Sequence, residues 1–129
     1  AGMMLGMEME ESMGRAEALS PTSPRVVLLK AMNTLHKPAF VGGGADKAMP
    51  LFERAIALAA QESRTDSTNL NWGHDDVHVW AGRCAEKLGK LDVAVTHYRH
   101  ALEISPDHGW TRSILLPKAE KALAAASKP

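Results

Sequence analysis

Residues 87–110 read KLGKLDVAVTHYRHALEISPDHGW, with Gly89, Ala94, Tyr98, Ala101 and Pro106 at offsets that suit one structure. Ala94, Tyr98 and Ala101 step by four and then three, so they share one face of a helix. Two antiparallel helices approach closely only where small side chains meet, which places alanines at the contact. The aromatic between them fills the space between one helix pair and the next. Gly89 allows the tight turn into the helix and Pro106 stops it. A segment marked in this way builds helix hairpins.

The same ladder occurs again upstream. Ala48, Phe52 and Ala55 repeat the steps of four and three, and Gly43 precedes them as Gly89 precedes Ala94. Met9, Met13 and Ala16 repeat them a third time, with Pro21 following Ala16 as Pro106 follows Ala101. Internal repetition of this kind marks a stacked array. Composition agrees: 45% of the chain is hydrophobic but only 5% aromatic, so Ala, Leu and Met supply most of the buried surface, which favours helix over sheet. No strand alternation competes.

Helical periodicity predicts helices over 3–19, 25–35, 45–61, 75–88, 91–104 and 109–126. Pro24 suits a first helical position after the break SPTSP. Pro38 and the run Gly42–Gly44 predict a loop, and Pro50 falls in the first turns of the third helix. ESRTDSTNLNWG, residues 62–73, reads as a polar linker. Asp75 or Asp76 is expected to cap the fourth helix. Val77, Trp80, Ala81, Cys84, Ala85 and Leu88 form its apolar stripe, and Gly89 ends it. Pro117 predicts a kink or restart in the last segment.

On these residues the chain resembles a tetratricopeptide repeat protein. Gly82 stands at the small position of the first helix, Gly89 at the turn, then Ala94, Tyr98, Ala101 and Pro106. Ala85 departs from the family pattern, which has an aromatic there, and Trp80 lies two places from the expected Trp. The resemblance implies an all-α antiparallel helix-hairpin array, a right-handed superhelix of about two and a half repeats plus a capping helix. It divides one domain, 1–129, into a half repeat (1–21), a repeat with an enlarged loop (25–61), a near-complete repeat (75–108) and a capping helix (109–126). The spacing from Ala48 to Ala94 exceeds the standard repeat of about 34 residues, and the surplus falls in the polar linker. The arrangement is similar to a group of bacterial repeat proteins without an assigned reaction, many of them exported, so a periplasmic or exported location is implied.

In the family, ligands lie on the concave face lined by first helices. The resemblance therefore places Asp76, Val79, Arg83, Glu86 and Lys87 in a peptide groove, with Lys30, Asn33 and Lys37 from the preceding first helix. Arg83 with Lys30 or Lys37 suits an acidic peptide or a C-terminal carboxylate. The plainer reading is a solvated face, and the family's full carboxylate clamp is not present. Met7, Met9 and Met13 form an apolar face on the first helix that suits self-association, because methionine adapts to varied surfaces.

Catalytic and metal readings fare worse. His74-Asp75-Asp76-Val77-His78 approximates the zinc-protease pattern HExxH, but Asp replaces the Glu base and His74 precedes the expected cap. His97 and His100, at i and i+3, suit a metal with His78 or His108; a solvated edge with an Arg99–Glu103 pair is the simpler reading. Cys84 falls on an apolar face as a small hydrophobe. The GGG run lacks the Lys and Ser/Thr of a phosphate loop. No cofactor or metal is assigned. Balanced charge, 15 basic against 15 acidic residues, argues against binding nucleic acid by phosphate neutralisation. No apolar run approaches a membrane span and no secretion signal stands at the start. The expected function is non-catalytic protein or peptide binding, with a homo-oligomeric assembly subunit as the alternative and a metal-dependent hydrolase as the remote one.

Overall fold

The computed structural model describes residues 2–65 and 73–127, with the backbone alone at 2–7, 9, 10 and 63–65. Its helices are α1 (Gly2–Leu19), α2 (Pro24–His36), α3 (Ala45–Thr65), α4 (His74–Lys87), α5 (Leu91–Ile104) and α6 (Leu116–Ala126). A 3₁₀ turn, Ala39–Val41, interrupts the α2–α3 loop, and a π-helical turn, Thr111–Leu115, leads into α6. Among the described residues there is no strand. The chain is an all-α array: α2 packs with α3, α4 with α5, and α4 joins the two hairpins by packing on α3 as well. No helix among the described residues is long and apolar enough to cross a membrane.

Local chemistry explains most boundaries. Ser23 caps α2, its side chain accepting from the Val26 N–H, and Pro24 takes the first helical position. The α4–α5 turn closes with the Gly89 N–H on the Glu86 carbonyl (3.0 Å) and the Lys90 N–H on the Ala85 carbonyl (2.9 Å). This paired closure needs the left-handed conformation that Gly89 holds at φ 75°. Pro50 is the sixth residue of α3, beyond the N–H groups a helix start leaves unpaired, yet α3 continues through it to Thr65. The expected break at Pro117 is displaced upstream. Its missing N–H leaves the Ser113 carbonyl without an α-helical partner, and the backbone widens into the π turn before α6 begins.

Two core clusters lie on either side of α4. Val27, Ala31, Phe52, Ala55, Val77 and Cys84 belong to the first, between α2, α3 and α4. Val79, Ala85, Ala94, Tyr98, Ala101 and Leu115 belong to the second, between α4, α5 and the C-terminal segment. The Ala–aromatic–Ala ladders therefore sit where the spacing puts them, with Phe52 and Tyr98 fully buried.

Ionic contacts tie the helices at their ends. Glu17 of α1 receives Lys30 of α2 at 2.8 Å and Arg54 of α3 at 3.6 Å. Arg99 does not pair with Glu103 along its helix; it reaches Glu120 of α6 at 3.0 Å, because α6 packs beside it. Glu62 near the end of α3 accepts two bonds from Arg25 (3.1 and 2.7 Å) and contacts His74 at 2.8 Å. This cluster holds α3 and α4 together across the linker. The Arg25 hydrogen bonds hold the Glu62 carboxyl below its ordinary range. A depressed carboxylate pKa stabilises the fold above the unfolded value and loses that stabilisation as pH falls. Glu62→Gln is expected to cost about 1–3 kcal/mol at neutral pH. The gap to the parent protein should narrow below the ordinary carboxylate pKa of 4.5. Urea denaturation at neutral and acidic pH measures both effects.

Candidate functional site

One face of α4 carries Asp76, Trp80, Arg83 and Lys87, stepping by four, three and four. None of the four is fully buried, and Lys87 is exposed. The start of the C-terminal segment brings Trp110, 38% exposed, against this face. The Arg83 guanidinium lies 4.8 Å from the Trp110 ring and 5.4 Å from the Trp80 ring. The two indoles meet edge to face at 6.1 Å, and His36 of α2 meets Trp80 edge to face at 6.0 Å. Each cation–π contact contributes about 0.5–2 kcal/mol, rising as water is excluded. Together they fix a long, flexible side chain in one place. Among the described residues Arg83 forms no ion pair.

The acidic end of the face is held differently. Asp75 and Asp76 do not cap α4: Gly73 is the capping residue and has no side chain, so both acids lie in the first turn, where the helix dipole favours them. The His108 Nε2 sits 3.5 Å from an Asp76 oxygen. The Thr111 N–H donates to the His108 Nδ1, so a neutral ring carries its proton on the nitrogen facing Asp76. The face is thus acidic toward the start of α4 and basic toward its end.

The expected groove residues do not all meet here. Val79 is fully buried in the second cluster and cannot line a groove; α4 is covered on two sides, so its neighbour Trp80 takes the open face. Glu86 lies near the Tyr98 phenol. Lys30 turns to Glu17, and Lys30, Asn33 and Lys37 line a cavity of about 260 Å³ with Met13, Glu17 and Thr34 of the α1–α2 seam. A larger cavity of about 690 Å³, also between α1 and α2, is lined by Met13, Leu29, Met32 and His36 among others. Of the proposed association face, Met13 is placed on both cavities; the Met7 and Met9 side chains lie outside the described residues.

The HExxH-like pair is directed to different neighbours, His74 to Glu62 and His78 to His97 and His100. Burial and those two histidines push His78 down to about 4. Burial also lowers His97. Cys84 is fully buried, its thiol donating to the Ala45 carbonyl at 3.2 Å, and burial pushes it up to about 11, which keeps it protonated and unreactive at neutral pH.

Residues 75–108, the α4–α5 hairpin with its terminating Pro106, match the family described as tetratricopeptide repeat. Residues 75–108 form a tetratricopeptide repeat. Repeats of this family serve protein interaction and are generally non-catalytic, and the chain is an interaction scaffold in that general sense. No curated protein and no solved structure matches it. Within the repeat, Trp80 and Arg83 carry side chains that reach beyond the α4–α5 hairpin to His36 and Trp110. Trp110 and His36 escaped the sequence reading because they approach α4 from outside the repeat. The only available signal was the Trp80–Arg83 spacing of one helical turn, which puts both on one face.

Proposed function

We propose that the α4 face formed by Trp80, Arg83 and Lys87, with Trp110, binds an acidic peptide segment of a partner protein. The stacking of Arg83 on both indoles carries this reading. A guanidinium held by its face keeps its N–H edge for a carboxylate, and an arginine already immobilised loses less side-chain entropy on binding. Lys87 stands one turn further on, at the end of α4 where a second cation is favoured. Indoles supply apolar contact at low entropic cost, as binding hot spots do. The proposed role is binding without catalysis.

The test is a charge reversal. A Glu- and Asp-rich peptide with a free C-terminus should bind the parent protein and lose affinity about tenfold or more on Arg83→Glu, in line with breaking a charge-assisted pair. Added salt should weaken what remains. Equal affinity for a Lys-rich peptide, or no change on Arg83→Glu, contradicts the reading.

The assembly alternative draws support from the larger α1–α2 cavity, where Leu29 is 57% exposed beside Met13 and Met32. Light scattering across a concentration series separates it from peptide binding: a monomer throughout excludes it.

A further inference from the structure

The α4–α5 seam holds a second cluster, separate from the Arg83 face. His78 of α4 faces His97 of α5 with their Nδ1 atoms 3.3 Å apart, and the His100 ring lies 5.2 Å from His78, centroid to centroid. We propose that His78, His97 and His100 form a binding site for a divalent transition metal ion of the zinc class, clamping the two helices of the repeat.

Geometry supplies the main argument. Zinc–imidazole bonds are about 2.0–2.1 Å long, so two nitrogens on a tetrahedral ion stand about 3.3–3.4 Å apart. His78 and His97 already hold that separation. His97 and His100 are one helical turn apart, the spacing that places two rings on one side of a helix. His78 and His97 are half-buried, which fixes their rings, whereas His100 is exposed and its ring is free to turn toward the pair. The chemistry agrees. Imidazole nitrogens suit zinc, copper and nickel, and the neutral ring is the binding form. Burial keeps His78 and His97 neutral at physiological pH. Glu53 of α3 acts electrostatically on His97 from outside the trio. Three protein nitrogens leave one tetrahedral position for water. The ion would add a bond between α4 and α5 independent of the Tyr98 packing.

Asp75, Asp76 and His108 are the donors that already lie within 4.8 Å of one another among the described residues, a closeness the histidine trio needs the His100 ring to turn to reach; they are half-buried at a helix start and the His108–Asp76 contact accounts for them. They serve as the control. The experiment uses the full chain without a histidine tag, stripped with chelator and titrated calorimetrically with Zn²⁺ alone. One equivalent should bind and raise the melting temperature. His100→Ala, at an exposed position that leaves the core intact, should lower the affinity about tenfold or more, and His97→Ala likewise. His108→Ala should leave it unchanged. No binding at millimolar Zn²⁺, an affinity unaffected by His100→Ala or His97→Ala, or loss of binding in His108→Ala overturns the proposal.

Discussion

Tyr98→Ala should lower the unfolding free energy by about 3–5 kcal/mol, the range for deleting a buried aromatic. The ring is fully buried between α4 and α5, at the one place in the second cluster where a large side chain fills the space between two helices. Its neighbours Ala94, Ala101, Ala85 and Gly82 are small, so none can extend into the void. Domains of this kind carry about 5–15 kcal/mol in all, and the variant is expected to lie close to the unfolding threshold. Tyr98→Phe should be nearly neutral, within about 1 kcal/mol, because it keeps the ring and removes a buried hydroxyl that has no hydrogen-bond partner among the described residues. Burial and the Glu86 carboxylate push the phenol well above its ordinary range, so it stays neutral and neither effect should vary with pH below 10. Chemical denaturation followed by circular dichroism measures the pair. A Phe variant as unstable as the Ala variant would show that the hydroxyl, not the ring, dominates.

Gly82→Val should destabilise the fold by about 1–3 kcal/mol through overpacking. A Cβ at Gly82 would stand 2.5 Å from the Tyr98 Cε1 and 2.8 Å from its Cδ1, closer than atoms pack. The better helix propensity of a non-glycine residue, up to about 1 kcal/mol, offsets only part of that. Combining the two changes gives the sharper test. With the ring gone, the valine occupies part of the vacated space, so the double variant should be more stable than the sum of the singles predicts, by about 1–3 kcal/mol. Strict additivity would mean that Gly82 and Tyr98 do not share a contact.

The reasons sequence and structure agree here, or part company, are physical. Ala94, Tyr98 and Ala101 announce a buried face because their steps match the helix, and a face that close-packed has few alternatives. Gly89 and Pro106 announce turn and stop through backbone constraints of their own. Periodicity on α4 was less informative, since a helix covered on two sides has two apolar stripes; Val79, expected in the groove, is buried in the second cluster for that reason, while Trp80 packs on the first cluster as its stripe implies and also reaches the open face. Long side chains were the least legible. Lys30 and Arg99 find carboxylates on other helices, Glu17 and Glu120, and no local spacing encodes those meetings. The same holds for Trp110 on Arg83 and for His78 among His97 and His100: helix pairing creates both clusters, and each residue alone reads as an ordinary edge.

The binding face is tested most directly by the indole N–H signals of the protein in two-dimensional NMR, assigned with Trp80→Phe and Trp110→Phe. On titration with the Glu- and Asp-rich peptide, the Trp80 and Trp110 signals should shift together and saturate with one binding curve, and Arg83→Glu should abolish both shifts. Stationary Trp80 and Trp110 signals under saturating peptide, or shifts confined to Trp72 and the residues of α1, would contradict it.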